Sequence, residues 1–370
     1  MFKTTKLLVS NVLLAIAATV FVVPAVAQPP QILAQATSQA NINELNDLLQ
    51  KGRDLVNSGN MDEALNVYLQ AVQLESSDAK IYSALAYVQA LRGDFEAAAK
   101  FYRDAITLDP QNADFYYGLG YTLARLQDYP AAAQAYRRAT QLQRDNINAH
   151  LGLAASLFRQ QDYRGAIEAY QTALALEPNN WEANASLGMA WLRQGNASQS
   201  LQFLQQAMEL APNQPNIYLK LGIAYLEQGD RTAALDAFQE AARLSPFNGE
   251  IQFQIGEIFR LQENFEGAMQ AYQQALAMEP DLVAANMAIG EIQLRLRDYI
   301  GAIVSFRRAA DRFADQPSVH YYLGLALKER GGREPQAIAS FRKARELYEK
   351  QGDHEGVRQA EAALRELEAN

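Results

Sequence analysis

Alanine recurs at Ala71, Ala105, Ala139, Ala173, Ala207, Ala241, Ala275 and Ala309, each 34 residues after the last. A second series with the same step runs Ala64, Ala98, Ala132, Ala166, Ser200, Ala234, Ala268 and Ala302, and a third runs from Gly52 through Ala86, Gly120, Ala154, Gly188, Gly222, Gly256 and Gly290 to Gly324. Large side chains make a fourth: Tyr68, Tyr102, Tyr136, Tyr170, Leu204, Phe238, Tyr272 and Phe306, while Pro110, Pro178, Pro212, Pro246 and Pro280 mark the ends of five periods. A chain with this much self-similarity is built from one small unit that cannot bury its apolar face alone and must stack on its neighbours. The 370 residues therefore do not parse as two or three ordinary domains.

Within one period the apolar spacing is helical twice. Tyr116, Leu119 and Leu123 lie at i, i+3, i+7, and after the polar break Gln127-Asp128 the set Tyr129, Ala132, Tyr136 and Ala139 repeats the pattern. Each unit is predicted to be helix, turn, helix. The Gly and Ala slots let two helices approach to about 8 Å, and the aromatic fills the space beside the small residue. Proline ends the second helix because it lacks an N–H and restricts the residue before it.

The pattern resembles the tetratricopeptide repeat family: repeat six carries Tyr218, Leu221-Gly222, Tyr225, Ala234, Phe238, Ala241 and Pro246 in the family's order. The resemblance implies an all-α fold, a right-handed α-solenoid of stacked helix-turn-helix units. Eight gapless repeats are expected at 45–78, 79–112, 113–146, 147–180, 181–214, 215–248, 249–282 and 283–316. A ninth, 317–351, carries Leu323-Gly324 and then Ala337, Phe341 and Ala344, displaced by one residue around Gly331-Gly332. Repeat five departs most, with Ser200 and Leu204 in place of Ala and an aromatic, so looser packing is expected there. Residues 352–370 read as a capping helix, with Asp353 as N-cap and Val357, Ala360, Leu364 and Leu367 on one stripe.

The N-terminus is an address rather than part of the fold. Lys3 and Lys6 precede an apolar run from Leu7 to Val23, followed by Pro24 and Ala25-Val26-Ala27. This is the layout of a secretory signal peptide with cleavage after Ala27; the alternative is a retained membrane anchor. Either way the positive-inside rule places the repeats outside the cytoplasm, in a periplasm or thylakoid lumen or secreted. Residues 28–44, rich in Gln, Ala and Asn, read as a flexible tether. The chain has 33 basic and 42 acidic residues, net −9, which disfavours nucleic acid as a partner. It has no cysteine, which removes disulfides, thiolate metal sites and a lipidated cysteine.

Catalytic chemistry is not expected, nor a cofactor or a metal. His150 and His320 share position four of repeats four and nine, where other repeats carry Tyr82, Tyr116 and Tyr218, so packing explains them. Separated by five repeats, they lie roughly 50 Å apart at about 10 Å per stacked pair and cannot share a metal. Gly118-Leu119-Gly120 has the look of a phosphate loop but sits inside a predicted helix with no strand before it.

The family resemblance implies a groove lined by the first helix of each repeat, in which partner segments lie. Carried residue by residue, it gives Tyr87, Tyr117 and Tyr121, Leu151, Met189, Ile223, Phe253, Glu257 and Glu291, with Arg125, Arg159 and Arg193 as a ladder at position thirteen. The Lys and Asn pair with which chaperone adaptors of the family hold a C-terminal carboxylate is missing from every repeat. Exposed tyrosines mark binding surfaces. The arginine ladder invites an acidic segment or, more simply, closes each helix against its own dipole. Glu257 and Glu291 give the far end the opposite sign, so the groove is expected to be polar along its length. The expected function is a non-enzymatic scaffold outside the cytoplasm that binds peptide or helical segments of proteins, as do similar proteins that assemble envelope or photosynthetic-membrane complexes. The alternative is a non-catalytic subunit of an envelope enzyme, with the aromatics stacked on cell-wall glycan.

Overall fold

The computed structural model describes residues 39–368. The expected leader, 1–27, and the tether as far as residue 38 lie outside the described residues. Among these, nineteen helices and no strand are found. They divide after Pro212 into two compact units.

In the first unit the helices are α1 (Gln39–Asn57), α2 (Met61–Leu74), α3 (Ala79–Arg92), α4 (Phe95–Leu108), α5 (Ala113–Arg125), α6 (Tyr129–Leu142), α7 (Ile147–Arg159), α8 (Tyr163–Leu176), α9 (Trp181–Arg193) and α10 (Ala197–Leu210). Each repeat is one antiparallel pair, α1 with α2 through α9 with α10, and each second helix packs on the next first helix. The first helix α3 also touches α5, and α5 touches α7, which lines them up on one surface. The array starts earlier than expected: residues 39–44, assigned to the tether by composition, are already helical in α1.

The second unit contains α11 (Pro215–Gln228), α12 (Arg231–Leu244), α13 (Gly249–Leu261), α14 (Phe265–Met278), α15 (Val283–Arg295), α16 (Tyr299–Arg312), α17 (Pro317–Arg330), α18 (Glu334–Gln351) and α19 (His354–Glu368). The last is the expected cap. Asp353 accepts hydrogen bonds from the N–H groups of Glu355 and Gly356 at 3.1 and 3.0 Å, and Ala360 and Leu364 are buried. It packs on α18, covering a surface that the array would otherwise leave bare.

Turn chemistry repeats with the period. The fifteenth residue of every repeat has positive φ; it is glycine at Gly59, Gly93, Gly195, Gly229 and Gly331, but Gln127, Gln161, Glu263 and Arg297 take the same left-handed conformation. The next residue caps the second helix: Asp94, Asp128, Asp162, Asn196, Asp230, Asn264 and Asp298 each accept from the N–H three residues on.

The expected fit of small residue against aromatic is met within each repeat. A Cβ on Gly120 would stand 2.8 Å from the Tyr136 ring, on Gly222 2.6 Å from Phe238, and on Gly290 2.6 Å from Phe306. Gly118 and Gly120 sit mid-helix in α5, and Gly118 faces a different ring, Tyr102 of the preceding repeat, which an added Cβ would overlap. Repeat five is not loose. Leu204 is fully buried, and a Cβ on Gly188 would meet Leu204 at 2.8 Å and the Ser200 carbonyl at 3.0 Å. The substitution of serine shows elsewhere: the Ser200 hydroxyl is buried with no hydrogen-bond partner.

Candidate functional site

Repeats three to five present a recess on their first helices. Tyr117 and Tyr121 come from α5, Asn148, Leu151, Gly152 and Ala155 from α7, and Glu182, Ala183 and Ser186 from α9; Tyr136 and Tyr170 reach it from the second helices behind. The cavity between them is small, about 50 Å³, and opens to solvent. Local sequence explains the opening. Gly152 leaves room where a Cβ would stand 2.4 Å from the Tyr136 ring, and Ala155 follows one turn later on the same face. The ring of Tyr136 is itself met by Tyr117, centroids 5.9 Å apart and tilted by 56°.

The phenols of Tyr117, Tyr136 and Tyr170 are held neutral. Burial pushes Tyr117 up to about 12 and Tyr136 well above the ordinary tyrosine value. Burial also raises Tyr170, to about 12, against a hydrogen bond with Ser186 and the nearby Arg159 charge. The recess thus offers apolar ring surface, neutral hydroxyls, an exposed side-chain amide at Asn148 and a carboxylate at Glu182. That set suits a peptide backbone and its side chains. It contains no nucleophile paired with a base.

Of the expected groove residues, Tyr117, Tyr121 and Leu151 meet in this recess. Tyr87 is partly exposed on α3, its hydroxyl raised by burial, outside the recess lining. Four others are not surface groups. Met189 (5% exposed), Ile223 (1%), Phe253 (1%) and Glu257 (9%) are buried. Phe253 packs on Tyr272 with ring centroids 5.5 Å apart. Glu257 turns inward, its carboxylate held by Arg260 at 2.6 and 3.1 Å and by the Tyr272 hydroxyl at 2.5 Å. Nε and Nη2 of that arginine are therefore engaged by Glu257. Glu291, facing the same group, is pushed up to about 7 by burial, with Arg260 opposing and Glu257 adding to the rise.

The arginine ladder has a role that neither expectation foresaw. Arg125 stacks over the Phe95 ring at 4.6 Å, Arg159 over Tyr129 at 5.8 Å, and Arg295, at the same position of repeat eight, over Phe265 at 4.9 Å. Each guanidinium lies on the first residue of the preceding repeat's second helix, tying repeat to repeat. The signal was present as an aromatic thirty residues before each arginine; where that residue is Ala197 or Arg231, position thirteen is Glu227 or Leu261. Arg193 differs, with a buried Nε that has no partner. The histidines close loops. His150 Nε2 lies 3.0 Å from the Arg144 carbonyl and His320 Nε2 2.8 Å from that of Ala314, each six residues back. No cluster of three metal-ligating side chains is found among the described residues, and no described helix is long and apolar enough to cross a membrane.

Two family models described as tetratricopeptide repeat match the chain, one over residues 49–113, 151–215, 219–283 and 287–353, the other over 89–157. Among solved structures, a chain of the APC/C hetero-tetramer Cut9-Hcn1 aligns at a TM-score of 0.51 and 19% identity over 76% of this chain, which spans only 55% of that one. A tetratricopeptide repeat protein from Parabacteroides merdae aligns at 0.56 and 17% identity, over 67% of this chain and 98% of its own. At these identities the likeness is one of fold. No curated protein sequence matches the chain.

Proposed function

Because the chain belongs to the tetratricopeptide repeat family, we propose that it is a non-enzymatic scaffold that holds a peptide segment of a partner protein in the tyrosine-lined recess of repeats three to five. The family's fold supports protein–protein interaction as the general role. The recess carries the finer reading: three adjacent first helices bring Tyr117, Tyr121, Leu151, Asn148 and Glu182 around one opening. Tyrosine gives much contact area for little lost rotamer freedom, and the amide and carboxylate fix the orientation of a bound backbone.

The compartment proposed is extracytoplasmic. Lys3, Lys6, the apolar run and Ala25-Val26-Ala27 support it, and an assembly factor for envelope or photosynthetic-membrane complexes is the class of role that follows. A photoreactive residue at Tyr121 of the full chain, expressed in its own host, should crosslink to a protein, and Leu151→Glu should abolish the adduct. Isothermal titration then compares the peptide around the crosslink with glycan fragments. Tyr121→Ala should weaken the peptide by roughly thirtyfold, as for a hot-spot residue. Heat with glycan alone, or an adduct indifferent to Leu151→Glu, would refute the reading.

A further inference from the structure

The repeats serve as controls for one another, because each position recurs in a matching environment. Position 22, on the outward side of the second helix, is polar in all seven repeats before the eighth, from Asn66 to Gln270; in repeat eight it is Val304. Position 18 is polar or proline in the same seven, from Asp62 to Glu266, and becomes Ile300. Position 14 is polar in six of them, and the exception, Leu126, is partly buried against the core of its own unit. In repeat eight it is Leu296. Leu296, Ile300 and Val304 are 56%, 64% and 51% exposed. Packing therefore does not explain them.

Ile300 and Val304 stand one turn apart on the exposed side of α16, and Leu296 closes the helix before it. Arginines rim the stripe. Arg297 lies in the turn, and Arg307 and Arg308 follow one turn beyond Val304, all exposed. Among the described residues Arg297 and Arg308 form no ion pair, and Arg307 reaches only the Gln336 amide oxygen at 3.4 Å. Asp298 is occupied in capping α16 through the Gly301 N–H. Unpaired cations around an apolar stripe, on a chain of net charge −9, are complementary to a segment with an apolar face and an acidic flank.

We infer that the outward side of α16 is a docking surface for an acidic, amphipathic segment of a partner protein, separate from the tyrosine-lined recess. Apolar side chains one turn apart match the i, i+4 anchors of a partner helix. The arginines then select its charge and direction.

The probe is a display library of short amphipathic helical peptides with randomised flanks, selected against the full chain and against L296Q/I300E/V304Q. The three replacements are residues that other repeats carry at the same positions, so the variant should keep its thermal melt. Expected is enrichment of peptides with apolar residues at i and i+4 and Asp or Glu beside them, binding the triple variant at least tenfold more weakly. R297E/R308E should shift the selection towards Lys and Arg. Enrichment unaffected by the triple variant, or without acidic bias, would overturn the inference. So would flotation with phosphatidylglycerol vesicles, or self-association in sedimentation, either of them abolished by L296Q/I300E/V304Q while no peptide is enriched. Loss of the Tyr121 crosslink leaves this result unchanged, because the variants do not touch the recess.

Discussion

Gly118→Ala tests the joint between repeats two and three, and its sign is set by a single ring. Glycine inside a helix is about 0.8–1 kcal/mol worse than alanine, so the substitution alone should stabilise α5 by that amount. A Cβ at this position would, however, lie 2.3 Å from Tyr102 Cζ, 2.5 Å from Cε1 and 2.7 Å from the hydroxyl. The ring is buried and the helix backbone cannot retreat without disturbing Gly120 against Tyr136. Overpacking of this kind costs about 1–3 kcal/mol, which leaves a net loss on the order of 1 kcal/mol. In a Tyr102→Leu background the ring is gone, and leucine already fills this place in repeat five at Leu204. There Gly118→Ala should turn stabilising by about 0.8–1 kcal/mol from helix propensity. Urea unfolding of the four proteins gives the cycle, with native-state hydrogen exchange at α4 and α5 to locate the effect in a chain whose repeats need not unfold together. A sign that does not change between the two backgrounds would refute the reasoning.

Ser200→Ala removes a buried hydroxyl that has no partner and should stabilise the first unit by about 1 kcal/mol, read as a higher urea midpoint. Gln161→Gly should raise stability by roughly 1 kcal/mol, because Gln161 has φ of 64° where other repeats use glycine. Arg125→Ala and Phe95→Ala should couple by about 0.5–1 kcal/mol in a double-mutant cycle, the value of an exposed cation–π contact. The raised Glu291 predicts a pH dependence. Its folded carboxyl holds a proton up to about 7 where the ordinary carboxyl releases it near 4.5, so the second unit loses stability as pH rises through that window. Glu291→Gln should flatten the slope of urea midpoint against pH, and a slope unchanged by the substitution would discount the half-buried carboxyl.

The period, the helix pairs, the cap at Asp353 and the closing helix were all legible, because each follows from a residue type placed where the backbone requires it. The recess was legible only in part. Tyr117, Tyr121 and Leu151 were found by position, but the same rule named Met189, Ile223, Phe253 and Glu257, which are buried. A positional rule treats every first helix alike, whereas side-chain direction depends on what stands behind it. Phe253 leans onto Tyr272, and Glu257 is drawn inward by two hydrogen-bonding partners in its own repeat. Tyr136 and Tyr170, which form the back of the recess, were assigned to the core alone; their hydroxyl ends reach through because Gly152 and Ser186 are small.

That last feature extends to a rule linking neighbouring repeats. Sixteen residues after each tyrosine of the aromatic series (Tyr68, Tyr102, Tyr136, Tyr170 and Tyr272) stands a small residue: Ala84, Gly118, Gly152, Ser186 and Ala288. After Phe238 and Phe306, which lack the hydroxyl, stand Gln254 and Tyr322, and the Tyr322 ring stacks on Phe306 at 5.7 Å. Where a phenol hydroxyl reaches the next repeat the facing residue is small, and where the hydroxyl is missing a larger side chain stands there, so the two members of the joint change together. A residue that departs from the repeat pattern can thus be sorted by whether a neighbour departs with it. Gly118 and Gly152 have such neighbours and belong to stacking. Ile300 and Val304 have none: Ala302 and Ile303 beside them keep the ordinary pattern and are buried, and the change at Phe306 is answered inside the core by Tyr322. Variation that the interior neither requires nor compensates is left to be explained by something outside the chain, which is why the outward side of α16 is a site to test and the glycines of α5 are not.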